Sequence, residues 1–140
     1  MISLSTGKKL KDAGLVWKPS INDYFVISDR GMDDKVFVIS DIQVSVEILY
    51  KMQVVSFQGT SEWALDSLVI SEVVWLPRED QLRVLLETEL IKSDSPEFQL
   101  LSNLRGCHLN MICDGVEYHY QNRSASEVYA QALLEFLEKS

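Results

Sequence analysis

Tyr24-Phe25-Val26-Ile27-Ser28-Asp29 recurs twelve residues later as Val36-Phe37-Val38-Ile39-Ser40-Asp41, with Arg30-Gly31-Met32-Asp33-Asp34-Lys35 between the copies. β-Branched and aromatic residues suit a pleated, half-buried surface, and the Asp- and Gly-containing link suits a turn. The pair therefore reads as the arms of a β-hairpin over about 24–40. The repeat is too short for a solenoid unit, and convergence on good strand residues accounts for it.

A second hairpin is read over about 107–121, around Asp114-Gly115. That dipeptide is strongly favoured in two-residue turns, and it sets Cys113 against Val116, Met111 against Tyr118 and Leu109 against Tyr120. Cys107, Leu109, Met111, Cys113, Val116, Tyr118 and Tyr120 then share a core face. His108, Asn110, Ile112, Glu117, His119 and Gln121 take the opposite one.

Helices are read around these hairpins. Ser5 or Thr6 caps a short one over 8–13, ended by Gly14. Thr60 caps another through Leu68. Pro77 precedes the clearest surface helix, over 78–90, with Leu82, Leu85, Leu86 and Leu90 on one face. Glu97 to Leu104 reads as a further short helix. Ser124 and Glu127 spell a capping box that opens the last helix, with Tyr129, Ala132, Leu133, Phe136 and Leu137 as its buried stripe. Gln53 to Phe57 and Val73 to Trp75 are extended. The stretch 42–50 satisfies two templates. Ile42 to Ile48 alternates as a strand does, while Ser40 with Gln43 forms a capping box before a helical face of Ile42, Ser45, Val46 and Leu49. Helices interrupt hairpins instead of alternating with single strands. The expected fold is a single α+β domain over 1–140, with a mainly antiparallel sheet and helices packed on it.

At 140 residues with 46% hydrophobic content the chain can bury a conventional core, without staples. Its net charge is −8 and its Lys and Arg form no stripe, which argues against nucleic acid and for a protein partner. The N-terminal stretch lacks the apolar run of a secretory signal, and no segment approaches the ~20 apolar residues of a membrane helix. Cys107 and Cys113, about 20 Å apart if on one strand, cannot pair there, and free thiols fit a reducing compartment. A cytoplasmic location without membrane attachment is expected.

Candidate chemistry is sparse. The hairpin register points thiols and imidazoles in opposite directions, which excludes a mixed Cys/His zinc site. His108, His119 and Glu117 remain as a weak metal or acid-base cluster, at a diagonal imidazole spacing of ~7 Å. Asp29, Asp33 and Asp34 crowd one turn but lack the spacing of a calcium loop, so backbone conformation explains them and an interaction surface is their functional alternative. Glu62, Asp66 and Glu72 surround Trp63 without a catalytic pattern. Nucleophile and phosphate-loop motifs are absent, and no cofactor is expected. Trp17, Trp63 and Trp75 read as core, with Trp63 an interaction anchor if exposed.

At Trp17-Lys18-Pro19, Asp29-Arg30-Gly31, Phe57 to Asp66 and Trp75 to Leu82 the chain resembles a family of small uncharacterised proteins from Bacillus-type bacteria, some labelled for pilus assembly. The named pilus component is ATPase-like, and its phosphate loop and length are not found here. The resemblance implies a bacterial cytoplasmic protein and brings no catalytic residues. The expected function is a non-enzymatic accessory or interaction module. A small hydrolytic or metal-assisted enzyme using His108, His119 and Glu117 is the alternative, and a homodimer through sheet-edge pairing a further expectation.

Overall fold

The computed structural model describes residues 1–39, 44–49, 52–57, 67–69 and 72–139. Among these lie α1 (Leu4–Asp12), β1 (Tyr24–Ile27), β2 (Val36–Val38), β3 (Val44–Leu49), β4 (Met52–Phe57), β5 (Ser67–Val69), β6 (Val73–Leu76), α2 (Glu79–Leu90), β7 (Glu97–Asn103), β8 (Gly106–Cys113), β9 (Val116–Asn122) and α3 (Ala125–Lys139). The described strands form three antiparallel sheets, ordered β2-β1-β6, β3-β4-β5 and β7-β8-β9, and the fold is α+β. The chain divides into two compact units, one of Met1–Leu15 with Pro77–Ser140 and one of Val16–Leu76.

In the unit Val16–Leu76 the first hairpin forms as read, with Tyr24 opposite Val38, Phe25 opposite Phe37 and Val26 opposite Val36. β6 pairs on the other side of β1, which becomes a central strand, and Phe25, Val26 and Ile27 are all buried. Trp17 stacks on Trp75 at 6.3 Å and packs on Phe25 at 5.7 Å, in a core shared with Ile27, Ile39 and Val73. Its indole N–H donates to the buried Asp23 carboxylate at 2.9 Å. Of the two templates for 42–50, the strand describes 44–49, which pairs along its length with β4. Ser67 and Leu68, expected at the end of a helix, instead belong to β5, where they face Ser56 and Val55. The rest of that helix, including Trp63, lies outside the described residues.

In the other unit α1 begins earlier than expected. Ser3, not Ser5 or Thr6, is the N-cap, and its hydroxyl accepts the Thr6 N–H at 3.1 Å. The helix closes as a Schellman motif, with Leu15 N–H donating to Leu10 O and Gly14 N–H to Lys11 O, each at 3.0 Å. α2 buries Leu82, Leu86 and Leu90, and α3 buries Tyr129, Ala132 and Leu133 together with Val128 and Ala130. α3 packs on α2 and on β8 and β9.

The helix expected over 97–104 is instead strand β7 over Glu97–Asn103. Its alternation puts Phe98 opposite Met111 and Leu100 opposite Leu109, both partners buried, and Glu97 and Gln99 on the other face. β8 offers a full ladder of backbone partners, which a lone two-turn helix would forgo.

The capping box at α3 forms only in part. Glu127 N–H reaches Ser124 Oγ at 3.3 Å, but the Glu127 carboxylate accepts from Ser3 N–H and Thr6 Oγ1–H, each at 2.8 Å. It thereby joins the N-termini of α1 and α3. Glu127→Ala is expected to cost about 1–2 kcal/mol. The loss should appear in a urea titration, with faster amide exchange in α1 than in the parent protein.

Candidate functional site

The β7-β8-β9 sheet has one greasy and one polar face, and the two-residue turn determines which is which. Asp114 and Gly115 have φ of +53° and +78°, the type I′ signature, and Cys113 closes on Val116. Cys107, Leu109, Met111 and Cys113 are buried, and Tyr118 and Tyr120 half-buried beside them. Val116, expected with them, is 50% exposed where the hairpin emerges at its turn. Both thiols point inward and are free; Cys113 Sγ lies 2.7 Å from Ser93 Oγ.

The polar face carries His108, Asn110, Ile112, Glu117, His119 and Gln121, as read, with Glu97, Gln99 and Leu101 added from β7. Asn110 and His119 stand directly opposite each other in a non-hydrogen-bonded pair, the closer of the two antiparallel spacings. Their side chains meet, with His119 Nδ1 2.6 Å from Asn110 Oδ1. With the Asn110 carbonyl as acceptor, Nδ1 carries the proton, and the neutral ring keeps a lone pair on Nε2. Nε2 lies 3.9 Å from Glu117 Oε2, and both side chains are more than two-thirds exposed. The face is an open depression of about 600 Å³, bounded by Glu97, Gln99, Asn110, Ile112, Glu117 and His119.

The structure thus brings Glu117 and His119 together. His108 instead faces Gln121 on one side and Leu101 on the other. Among the described residues no three His, Cys, Asp or Glu side chains converge as a metal site. An exposed imidazole–carboxylate pair of this kind can donate and accept hydrogen bonds.

The acidic turn is differently employed. Asp29 adopts a φ of +65° and its N–H donates to Asp33 Oδ1 at 3.0 Å, so the Asp33 carboxylate ties the turn to itself. Asp29, Asp33 and Asp34 are exposed, and Arg30 pairs with Glu72 at 2.7 Å. Glu62 and Asp66, like Trp63, lie outside the described residues.

Elsewhere, α2 and α3 flank a shallow groove in which Arg83 lies 2.9 Å from Glu87 and 5.9 Å from the Phe98 ring centroid. Burial pushes the neighbouring Tyr129 hydroxyl upward from its ordinary range. Among the described residues no helix is long and apolar enough to cross a membrane.

Comparison with family models, curated proteins and solved structures returned no match. The contribution of β7 to the face escapes sequence reading because 97–104 also fits a helix. The Asn110–His119 bond, by contrast, follows from the register that Asp114-Gly115 imposes.

Proposed function

We propose that the protein is a non-enzymatic interaction module that docks another protein on the open face of the β7-β8-β9 sheet. The observation that carries this reading is the composition of that face. Gln99, Asn110, Gln121, His108 and His119 offer donors and acceptors, Ile112 and Leu101 are apolar, and Glu97 and Glu117 are acidic. Protein interfaces have this mixture, and strands hold it in fixed spacing. With a net charge of −8 the chain favours a basic protein partner and disfavours nucleic acid. Buried free thiols suit the cytoplasm, and the resemblance to small Bacillus-type proteins suits a bacterial accessory role. No cofactor enters this reading.

The test is photo-crosslinking in the native host, with a benzophenone side chain at Gln99 or Ile112 and, as control, at Ile91, 78% exposed at the C-cap of α2. Crosslinks to one protein from the two face positions, weakened by salt and not obtained from position 91, are expected. Equal labelling from all three, or none, would overturn the proposal. The enzyme reading draws on the lone pair that His119 keeps on Nε2. Zinc titrated into the purified protein separates the two: stoichiometric binding removed by His119→Ala would favour the enzyme.

A further inference from the structure

Among the described strands, β9 is an outer strand of its sheet. Natural edges are usually guarded by Pro, Lys or a bulge, and β9 has none of these: Val116-Glu117-Tyr118-His119-Tyr120-Gln121-Asn122 pairs with β8 without interruption. Because the tight turn makes Cys113–Val116 a hydrogen-bonded pair, the ladder's alternation directs the N–H and C=O of residues 117, 119 and 121 away from β8. The sequence of this edge is also close to a palindrome. His119 stands at its centre, flanked by Tyr118 and Tyr120, then by Glu117 and Gln121.

We propose that β9 pairs with β9 of a second copy of this chain, antiparallel about a two-fold axis through His119, merging two β7-β8-β9 sheets into one. Outward-facing groups must meet outward-facing groups, so residue 119 opposes residue 119, and 117 opposes 121. Each Glu117 carboxylate then accepts from the amide of the other copy's Gln121. On the helix-covered face, each Tyr118 stands opposite the other copy's Tyr120.

The side chains behind those tyrosines are complementary. Lys139 Nζ donates to Tyr118 Oη at 2.9 Å and lies 4.6 Å from the ring centroid. Tyr120 Oη is buried beside the Glu135 carboxylate, whose Oε2 lies 3.8 Å from Lys139 Nζ of the same copy. Because each Tyr118 opposes the other copy's Tyr120, the Lys139 of each copy, already paired with its own Glu135, is set beside the other copy's Glu135 as well, so the two ion pairs join into one alternating cluster. Two other outer strands, β2 and β7, fit less well. β2 has three residues, and β7 centred on Leu100 would set Phe98 against Ser102. The charge of −8 per copy opposes association and is screened within about 8 Å at physiological salt, so the dimer strengthens as salt rises.

Sedimentation equilibrium of the purified full chain, from micromolar to near-millimolar concentration, is expected to show the mass rising from one chain toward two. A hydrogen-bonded pair has a Cα spacing of about 5.5 Å, inside the range a disulfide spans, so His119→Cys is expected to cross-link two chains under oxidised glutathione. Gln121→Cys should not, since its own copy lies about 13 Å along the paired strand. His119→Lys, which opposes two ammonium groups on an exposed site, is expected to hold the protein as a monomer with an unchanged circular dichroism spectrum. A monomer at every concentration with no cross-link at 119 would overturn the proposal. So would equal cross-linking at 121, or a dimer that His119→Lys leaves intact. Purified protein alone supplies every readout, so the result is independent of which partner the open face takes.

Discussion

Asp23→Ala is expected to destabilise the unit Val16–Leu76 by about 3 kcal/mol, because it orphans the buried Trp17 indole N–H and removes a second, partly buried bond to the Ser20 N–H. Asp23 is 1% exposed, and its Oδ2 accepts both the Trp17 indole N–H at 2.9 Å and the Ser20 N–H at 3.0 Å. Those bonds return the segment around Lys18 and Pro19 onto the hairpin end, where Ile39 N–H donates to Asp23 O and Asn22 N–H to Ile39 O. Trp17 is also the ring that stacks on Trp75. Losing its polar anchor therefore loosens an aromatic core as well as a loop. Urea unfolding followed by tryptophan fluorescence measures the loss, and amide exchange should rise in β1, β2 and β6. Asp23→Asn keeps a neutral oxygen for the same donors and should cost about 1 kcal/mol. If the Ala variant unfolds within about 0.5 kcal/mol of the parent, the range of an indifferent surface change, this role for Asp23 is wrong.

Nothing local in the sequence marks Asp23, since an acid in a loop after Pro19 is ordinary and its burial depends on Trp17 folding back. The two hairpins are legible for the opposite reason. At Asp114-Gly115, turn chemistry and alternation agree, and together they place every side chain of β8 and β9 on a face, His119 and Asn110 included. β7 is ambiguous because Phe98, Leu101 and Leu104 satisfy a three-residue helical spacing as well as Phe98 and Leu100 satisfy alternation. Pairing with β8 decides it, and leaves Leu104 fully exposed in the turn. Glu127 shows the same limit at longer range. Its position three residues after Ser124 announces a helix start, while its bond to Ser3 joins residues 124 apart. The candidate face was therefore readable where a short turn dictates it, and unreadable where a third strand had to arrive from elsewhere.

Gly106→Ala is expected to cost roughly 3–5 kcal/mol, the sum of backbone strain and overpacking. Gly106 opens β8 with a φ of +139°, a conformation that L side chains rarely adopt, and an added Cβ would stand 2.8 Å from the carbonyl oxygen of Asn122. That oxygen is backbone, at the end of the strand paired with β8, and it cannot swing aside as a side chain would. Relief would require β8 and β9 to part where Cys107 faces Asn122, at the opposite end from the Asp114-Gly115 turn. Gly115→Ala provides the contrast. Its φ of +78° is also left-handed, but nothing lies within 4 Å of the new Cβ. The turn variant should therefore lose only about 1–2 kcal/mol, the conformational part alone. Urea titrations of the two variants separate the contributions, since both share an unfavourable φ and only one has a wall. Equal losses would show that close approach at Asn122 does not hold the hairpin ends together. A larger loss at Gly106, with the amide protons of Leu109 and Met111 exchanging faster, would show that this contact aligns the strands on which Asn110 and His119 meet.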